Sequence, residues 1–367
     1  MQVRKEHARI EQVAASAYTI PTDAPESDGT LAWDATTLVL VEITAGGHTG
    51  IGFSYTDASA AWLVRDTLAA HIRGRDAMDI PACWWAMLDA VRNLGRPGIS
   101  ATAIAAVDIA LWDLKARLLE LPLVKLLGAV RERVPAYGSG GFTSYSPAQL
   151  EAQLGGWAEQ GFERVKMKIA RYPEQDEERL RRARATIGPD VELFVDANGG
   201  YDRKQALGWM PLLRELGVTW LEEPVSSDDL EGLRLLRDRG PGHLHITAGE
   251  YGYHPGYFRQ MLEAGAVDIM QADVTRCAGI TGLLEVAALC TAFQIPLSTH
   301  TAPAIHAHLG CAIRPVRHIE WFHDHVRIEH MLFDGTLEAV DGQVKPDLSR
   351  AGLGLIFRRN EAVQYAR

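Results

Sequence analysis

The sequence of 367 residues lacks the features of several protein classes. It contains four cysteines, which are widely spaced and form no Cys-x-x-Cys pair, so neither a zinc ribbon nor a disulfide-rich secreted framework is expected. No apolar run reaches the roughly 18 residues of a membrane-spanning helix, and the first residues alternate charged with apolar groups, unlike a signal peptide. These absences predict a cytoplasmic protein, with no membrane association, whose cysteines are reduced and buried.

Positive charge is also scarce. The chain has 37 Lys and Arg residues against 47 Asp and Glu residues, a formal net charge of −10. A nucleic-acid-binding surface needs a basic field to attract phosphates, so no nucleic-acid partner is expected, whereas small polar ligands remain open. The length exceeds what one compact core usually covers, which predicts two structural units.

The first third of the chain has a mixed α+β pattern. Residues 37–44 are rich in β-branched types and residues 48–55 form a second strand-like run after a Gly-Gly turn, which predicts a hairpin. Residues 21–30 contain two prolines and no apolar periodicity, so they are predicted to form a mobile loop. A helix is predicted where apolar residues share one face and Asp108 lies elsewhere. The apolar face consists of Ile104, Val107, Leu111, Leu114 and Leu118.

After about residue 130, short β-type runs alternate with helical segments, as a succession of βα units requires. One such helix is predicted to begin after Ser146, where a capping residue precedes a proline. The recurrence predicts a barrel of alternating strands and helices. The strand candidates are residues 165–169, 192–197, 219–223, 246–250, 268–273 and 295–300.

Two lysines share one face of the first of these strands. Lys166 and Lys168 alternate with Val165, Met167 and Ile169, so strand geometry places both ammonium groups opposite the apolar side chains. If helices cover the apolar face, both lysines point into the barrel. A solvated strand face is the alternative, because lysine readily extends to water.

The strands that follow each end near an ionisable residue, where barrel enzymes place their chemistry. Taken singly, each such residue has a structural alternative, such as a helix cap or a solvated strand end. These residues, at intervals of 23 to 28 residues, are Asp196, Glu222, Glu250, Asp273 and His300. Glu320 comes 20 residues after His300.

Three of these residues predict a metal site. Carboxylates converging at one rim would repel and raise one another's pKa unless a cation neutralised them. Asp196, Glu222 and Glu250 offer oxygen ligands and include no Cys or His. Such a set favours Mg²⁺, with Mn²⁺ as a possible substitute, over Zn²⁺.

As a set, these residues resemble the mandelate racemase subgroup of the enolase superfamily. The resemblance extends to the ALWDLKA helix at residues 110–116, to Leu-Leu-Gly at 126–128 and to Gly-Leu-Gly at 352–354, so it covers nearly the whole chain. It implies an α/β fold with an N-terminal α+β capping domain and a modified TIM barrel, (β/α)₇β. It also implies a homo-oligomer and loops that close the site. The expected boundaries are residues 1–128 for the capping domain, 129–334 for the barrel, 335–367 for a C-terminal segment packing back on the capping domain, and 21–30 and 48–56 for the closing loops.

The same resemblance implies roles for individual residues. Lys168 would be the base on one face of the substrate's α-carbon, and Lys166 beside it would contact the substrate carboxylate. His300, oriented by Asp273, would act on the opposite face. Glu320 would hydrogen-bond an oxygen of the enediolate intermediate.

Physical reasoning supports such a site. A proton next to a carboxylate is a very weak acid, because its removal adds a second negative charge, so preorganised positive charge is the effect that lowers this barrier most. The base must be neutral. The ammonium of Lys166, the metal and partial desolvation are expected to lower the pKa of Lys168 towards working pH.

Bases on both faces of the α-carbon permit two reactions of a small-molecule carboxylate. One is dehydration of a sugar acid to a 2-keto-3-deoxy acid, which the resemblance favours. The alternative is racemisation, epimerisation or cycloisomerisation of a hydroxy acid or its lactone. Polar loop residues are common in any protein, but some near the expected rim are candidates for binding the substrate, namely Tyr145, Asn198, Arg276 and His323.

Three further hypotheses stay open. His306 and His308 form a His-x-His pair that would suggest a metallohydrolase barrel of the amidohydrolase type, but that type expects the pair on the first strand. His323 and His325 could bind a second carboxylate or a metal, although an aromatic-flanked loop is the simpler interpretation. A non-catalytic protein that keeps the fold is also conceivable, and it would have lost ligand or base positions that are all present here.

Overall fold

The computed structural model describes residues 8–367. An antiparallel sheet of three strands in the order β1-β2-β3 forms most of the first unit. Ala45 pairs with His48 across the turn, which confirms the predicted hairpin. The strands are β1 (Gln12–Ser27), β2 (Ala32–Ala45) and β3 (His48–Tyr55).

The prediction of a loop at residues 21–30 is wrong for most of its length. Residues 21–27 continue β1, with a register irregularity between Pro21 and Glu26. β1 is an edge strand of its sheet, and an edge strand with a bulge tolerates prolines that a central strand excludes. The second expected closing loop, residues 48–56, is likewise mostly strand β3.

Helices cover one face of this sheet, and the longest of them packs on β2 and β3. A Cβ added at Gly50 or Gly52 would lie 2.4 or 2.3 Å from a backbone oxygen of this helix, so the glycines permit the close approach. Four residues of the predicted apolar face are buried and Leu118 is partly buried, but Asp108 is also fully buried. The helices are α1 (Ser59–Leu63), a π-helical turn (Val64–Leu68), α2 (Ala69–Ile72), α3 (Ile80–Ala90), α4 (Ile99–Leu118) and α5 (Leu123–Leu127).

The second unit is a barrel of eight parallel strands within the described residues. Its first strand pairs with both the second and the eighth, and a bridge between Leu297 and Val316 joins the seventh strand to the segment before the eighth. All six strand candidates are confirmed, and the sequence missed β4 and β11. The strands are β4 (Val134–Gly140), β5 (Arg164–Lys168), β6 (Glu192–Asp196), β7 (Val218–Glu222), β8 (His245–Ala248), β9 (Ile269–Ala272), β10 (Leu297–Thr299) and β11 (Ile319–Phe322).

Seven helices connect these strands, which gives the predicted (β/α)₇β order. The first begins at a capping box in which Ser146 and Gln149 satisfy each other's backbone donors. The helices are α6 (Pro147–Glu159), α7 (Pro173–Ile187), α8 (Arg203–Glu215), α9 (Leu230–Arg239), α10 (Pro255–Glu263), α11 (Gly279–Phe293) and α12 (Pro303–Ala312).

An aromatic cluster fills the barrel beneath its carboxyl-end rim. Tyr137, Phe194, Trp220 and Ile269 form a buried group, in which the rings of Phe194 and Trp220 stack at 4.9 Å. Phe194 and Trp220 each lie two residues before the last residue of their strand. The alternation of strands therefore places the strand-end carboxylates directly above this packed layer.

The C-terminal residues contact both units. β14 pairs antiparallel with the start of β4, whereas Ala366 bridges to Tyr18 of β1 and Arg359 forms an ion pair with Glu42 of β2. The boundaries at residues 128 and 334 stay a prediction. The elements are α13 (His323–Leu332), β12 (Phe333–Asp334), β13 (Ala339–Val340), β14 (Gln343–Val344), β15 (Ile356–Phe357), α14 (Arg359–Ala362) and a 3₁₀ turn (Val363–Tyr365).

Two further expectations concern the cysteines and membrane-spanning segments. All four cysteines are buried and free, as predicted. Across residues 8–367, no helix combines the length and the hydropathy that crossing a bilayer requires.

Asp108 joins the two units. Its carboxylate lies 2.6 Å from the hydroxyl of Thr281 and accepts a 2.9 Å hydrogen bond from the backbone N–H of Thr281, in the first turn of α11. Burial raises the pKa of Asp108 to about 7, against the opposing effect of these hydrogen bonds. Between about pH 4 and pH 7, the folded protein therefore holds a proton on Asp108 that the unfolded chain, whose carboxyl pKa is near 3.9, has released.

This difference predicts how stability changes with pH. Because the folded state binds the additional proton between about pH 4 and pH 7, Asp108 makes the free energy of unfolding fall as pH rises through that range. Asp108→Asn has no proton to lose, so its free energy of unfolding relative to the wild type should rise between about pH 5 and about pH 8. Chemical denaturation at both pH values measures this. Asp66→Asn, at an exposed site, is the control, and an equal difference at both pH values would contradict the prediction.

Candidate active site

A cavity of about 440 Å³ lies between the carboxyl ends of the barrel strands and the sheet of the first unit. Asp28 comes from the first segment expected to close the site, and Tyr55 and Thr56 come from the second, so both segments do face the cavity. From the barrel it is lined by Lys168, Asn198, Glu250, Tyr251, Asp273, Arg276, His300, Thr301, Glu320, Phe322 and His325, and from the first unit also by Leu31, Trp33, Ala35, Thr36, Thr37 and Asp57.

Three carboxylates converge at the rim of the barrel. Asp196 and Glu222 are the last residues of β6 and β7, and Glu250 lies two residues after β8. Each offers an oxygen, and these atoms all lie within 4.8 Å of one another. Gly249 turns the chain with φ 136°, and a Cβ there would lie 2.0 Å from the backbone oxygen of Gln271, so a glycine is required to position Glu250.

Burial and neighbouring charges shift the pKa values of the acidic residues in this cluster. All three side chains are buried. Burial and the neighbouring Asp196 raise the pKa of Glu222 above its usual value. The adjacent Glu223 is also buried, and burial and Glu250 raise its pKa well above the usual value of a glutamate.

Both lysines point into the barrel, as predicted. The Nζ of Lys166 lies 2.8 Å from Glu222 Oε2, 2.8 Å from Glu320 Oε1 and 3.7 Å from Asp196 Oδ2. The Nζ of Lys168 donates to Asp196 Oδ2 at 2.5 Å. Lys168 is therefore held by the adjacent strand β6, and Lys166 by carboxylates two strands away on either side, on β7 and β11.

Neighbouring carboxylates act on the pKa of Lys168 against burial and Lys166. Burial lowers this pKa, and Lys166 lowers it further, but Asp196 and the other nearby carboxylates together outweigh both, so the pKa of Lys168 lies above its usual value. The expectation that Lys166, the metal and desolvation together lower this pKa concerns the metal-loaded site and stays a prediction. Lowering this pKa requires another positive charge to engage Asp196.

His300 is oriented by Asp273. Its Nδ1 donates to Asp273 Oδ2 at 2.8 Å, and the other oxygen of Asp273 accepts from the backbone N–H and the hydroxyl of Thr275. Burial opposes the charged imidazolium, but Glu250 and Asp273 outweigh it and raise the pKa of His300. With Nδ1 engaged, Nε2 faces the cavity side, 3.2 Å from Glu250 Oε2.

Glu320 lies between the lysines and His300. Its Oε1 accepts from the hydroxyl of Ser139 at 2.6 Å and lies 2.8 Å from Lys166. Its Oε2 accepts from the backbone N–H of Thr301 at 2.8 Å and lies 4.0 Å from His300 Nε2. Burial opposes ionisation, but Lys166 and the other nearby positive groups together outweigh it, so the pKa of Glu320 is well below its usual value.

Two family models match the chain. Residues 17–128 match the N-terminal domain of the mandelate racemase / muconate lactonizing enzyme family, and residues 149–361 match the enolase C-terminal domain-like family. The chain belongs to the mandelate racemase/muconate lactonizing enzyme family. The predicted membership of the enolase superfamily and the predicted fold class are thereby confirmed.

Relatives of known activity are similar over nearly the whole chain. A 3,6-anhydro-α-L-galactonate cycloisomerase of Streptomyces coelicolor is 32% identical over 95% of this chain and 98% of its own. An L-talarate/galactarate dehydratase of Salmonella typhimurium is 31% identical over 94% of this chain and 88% of its own.

Solved structures of this family superimpose closely. A mandelate racemase/muconate lactonizing enzyme-like protein from Rubrobacter xylanophilus is 56% identical, with a TM-score of 0.96 over 98% of this chain and 100% of that one. A racemase from Streptomyces coelicolor with bound magnesium is 30% identical, with a TM-score of 0.91 over 98% of this chain and 100% of that one.

The three carboxylates fit the divalent cation that this enolase-superfamily fold implies. Their donors are all oxygens, which suits a hard ion. In addition, Glu250 Oε2 is buried without a hydrogen bond, although it lies near His300 Nε2. A buried carboxylate oxygen without a partner is costly, and a cation coordinated by Asp196, Glu222 and Glu250 would satisfy it.

The residues predicted to bind substrate separate into two pairs. Asn198 and Arg276 line the cavity beside the carboxylates. Tyr145 and His323 do not line it, and border a different depression together with Asp23. An aromatic wall explains the separation, because Phe142 packs against Tyr145 on one side and against Trp33 and Phe322 of the cavity on the other. The substrate-binding roles of all four residues stay predictions.

Sequence reasoning missed most of the residues that the first unit contributes to the site. Trp33, Tyr55 and Asp57 line the cavity, but they lie in or beside strands of the capping sheet rather than at barrel strand ends. His325 was considered as a ligand of a second carboxylate or of a metal, and it stacks on the ring of Tyr55 at 3.4 Å. Glu223, which is buried beside the carboxylates, was also missed, although it directly follows Glu222 in the Glu-Glu-Pro motif.

The His-x-His pair has a structural role. His306 accepts from the backbone N–H of Val274 and bonds the carbonyl of Thr301. His308 accepts from the backbone N–H of Val124 and bonds the carbonyl of Leu353. Both rings are buried, so they link segments of the barrel and C-terminal region.

Proposed function

We propose that this chain is a Mg²⁺-dependent lyase that removes the α-proton of a sugar acid and expels the β-hydroxyl, forming a 2-keto-3-deoxy acid. The observation that supports this most is the placement of Lys168 and His300. They line one cavity beside three convergent carboxylates, and they extend from β5 and β10, which are separated by two strands on one side of the barrel and four on the other. A substrate between them is exposed to a base on each face.

When bound, Mg²⁺ supplies the positive charge that stabilises the second negative charge formed on the substrate carboxylate. Asp196, Glu222 and Glu250 would hold it. Engagement of Asp196 in this way frees the ammonium of Lys168 from its closest carboxylate. Burial and Lys166 then act on Lys168 without that opposing attraction, which favours the neutral amine that abstraction requires.

The proton movements use only residues of this chain. Lys168 takes the α-proton from one face, and Lys166, held between Glu222 and Glu320, directs its charge to the substrate carboxylate. His300 donates a proton from Nε2 to the β-hydroxyl, which leaves as water. Asp273 holds the opposite ring nitrogen and stabilises the charged ring before this transfer.

A second reaction is supported by a specific similarity. The Streptomyces coelicolor relative is a cycloisomerase, and the same pair of bases could return a proton to the α-carbon or open a ring at the β-carbon. Cycloisomerisation, racemisation or epimerisation of a hydroxy acid or its lactone is therefore the alternative. The two classes differ in whether water is lost.

Incubation with Mg²⁺ in D₂O separates these reactions. We expect a member of a sugar-acid library to form a 2-keto product, detected by semicarbazide absorbance and NMR. Deuterium at the α-carbon without a keto product would support the alternative. Failure of every library member to exchange or react would contradict both, and absence of Mg²⁺ affinity in calorimetry would favour a non-catalytic protein.

The proposal extends to the setting of the enzyme. A cytoplasmic location, a homo-oligomeric state and a place in the breakdown of carbohydrate acids all accord with a small-molecule carboxylate substrate. The absence of nucleic-acid and membrane partners is part of the same proposal, and the acidic net charge of −10 supports it.

A further inference from the structure

We infer that the active-site cavity selects sugar acids with a single carboxylate and an uncharged distal end, and that it discriminates against diacids. This inference rests on the proposed function and specifies its substrate class. It depends on the distribution of charge around the cavity, which is strongly asymmetric between the barrel side and the capping side.

The capping side carries negative charge and no positive charge. Among the described residues, its ionisable members are Asp28, Tyr55 and Asp57, and neither a lysine nor an arginine of this unit lines the cavity. Hydrogen bonds from the backbone N–H and hydroxyl of Ser59 lower the pKa of Asp57, so this carboxyl is charged. Hydroxyl and aromatic or aliphatic groups complete this side, namely Thr36, Thr37, Thr56, Trp33 and Leu31.

The positive groups of the barrel side are already paired. Lys168 donates to Asp196, and once a cation engages Asp196 it acts as the neutral base, so it is a free cation in neither state. His300 donates to Asp273. Arg276 lies 3.4 Å from Glu250 Oε1 and 3.5 Å from Asp273 Oδ2. These groups lie around the metal-binding carboxylates, where the reacting carboxylate of the substrate is expected. No cation is therefore left to pair with the second carboxylate of a diacid.

His325 does not provide that cation either. Its Nδ1 accepts a 3.3 Å hydrogen bond from the backbone N–H of Ala302, so the ring is neutral and its proton lies on Nε2. The ring stacks on Tyr55 and borders the cavity. It therefore offers a neutral N–H donor, which suits a hydroxyl oxygen.

A neutral polyhydroxyl tail and a second carboxylate would meet this surface very differently. Sugar hydroxyls can donate to Asp28 and Asp57 and can accept from the threonine hydroxyls and from His325. A carboxylate at the same position would accept only, and it would face two acidic side chains in a partly desolvated cavity. Like-charge contact and unpaired buried charge are the usual means by which a site rejects a ligand.

Matched pairs of acids test the inference. Each pair consists of the aldonate and the aldarate with the same configuration at every shared carbon, such as galactonate with galactarate, over the four- to six-carbon series. Calorimetry with the Mg²⁺-loaded enzyme gives the affinities, and keto-acid formation gives kcat/KM. We expect the monoacid to be favoured at least about tenfold in each pair that binds. Equal or tighter binding of the diacid, or no binding of any monoacid, would overturn the inference.

The design separates this inference from the proposed reaction. If monoacids bind preferentially but none is turned over, the proposed dehydration fails and the selectivity stands. If diacids are dehydrated as efficiently as monoacids, the reaction stands and the selectivity fails.

Variants of Asp57 test the cause of the preference. Asp57→Asn keeps an oxygen acceptor for the backbone of Ser59 and should reduce the monoacid preference in calorimetric affinity. Asp57→Lys should reduce it further, by at least about tenfold relative to the wild type. Asp66→Asn and Asp66→Lys make the same charge changes at an exposed site outside the cavity and should leave the ratio unchanged. A ratio that responds equally to both positions would overturn the assignment to Asp57.

Discussion

Replacing Lys168 with methionine is expected to lower kcat/KM for keto-acid formation by about 10²–10⁴-fold, the range by which a positioned general base accelerates proton transfer. Methionine retains an unbranched side chain of similar length in a position that is 5% exposed, so the packing of β5 is preserved. The nitrogen that faces the substrate is lost. Steady-state kinetics with the best substrate of the library measures the effect.

Two comparisons show that this loss would be chemical. Lys204→Met, at an exposed site on α8, should leave kcat/KM unchanged. Calorimetry should show that Lys168→Met still binds Mg²⁺, because the variant removes no carboxylate from the cluster. Full turnover by Lys168→Met would exclude this lysine from the mechanism.

Glu250→Gln is expected to weaken Mg²⁺ binding by more than about 100-fold, since changes to groups that only support metal ligands already cost about 10–100-fold. The substitution keeps the size of the side chain and removes the charge of a buried carboxylate whose Oε2 has no hydrogen bond. Glu250 is the most informative of the three positions, because neither lysine lies in hydrogen-bonding contact with it. Calorimetric titration with Mg²⁺ measures the affinity directly.

The control for this variant is Glu263→Gln, which makes the same change at an exposed position on α10. Its Mg²⁺ affinity should equal that of the wild type. Treatment of the wild type with a chelator should abolish keto-acid formation, and added Mg²⁺ should restore it. An unchanged affinity in Glu250→Gln would remove Glu250 from the ligand set.

The barrel and its rim could be predicted because regular strands convert sequence spacing into position. In β5, the period of two alone places Lys166 and Lys168 on the inner face. Parallel strands that recur at one spacing bring Asp196, Glu222 and Glu250 to the same edge, whatever the loops between them do. No long-range information is needed for either conclusion.

The errors arose where the neighbours of a residue decide the outcome. Residues 21–27 have the composition of a loop, but pairing with β2 holds them in a strand. Asp108 was placed away from the apolar helix face, but α11 covers that side too and supplies Thr281 as its partner. The sequence also did not indicate that Asp196 from the next strand approaches Lys168 to 2.5 Å and raises its pKa.

The sequence by itself determined the family, the alternation of strands and helices over most of the barrel and the identity of the residues at the barrel rim, because these depend on local periodicity and on the order of motifs. Only the tertiary structure decided which groups share the cavity. It placed Asp28, Tyr55 and Asp57 of the capping unit opposite Lys168 and His300 and moved Tyr145 and His323 behind an aromatic wall. The physical reason is that charge and packing act across space, between segments whose separation along the chain does not reveal their distance.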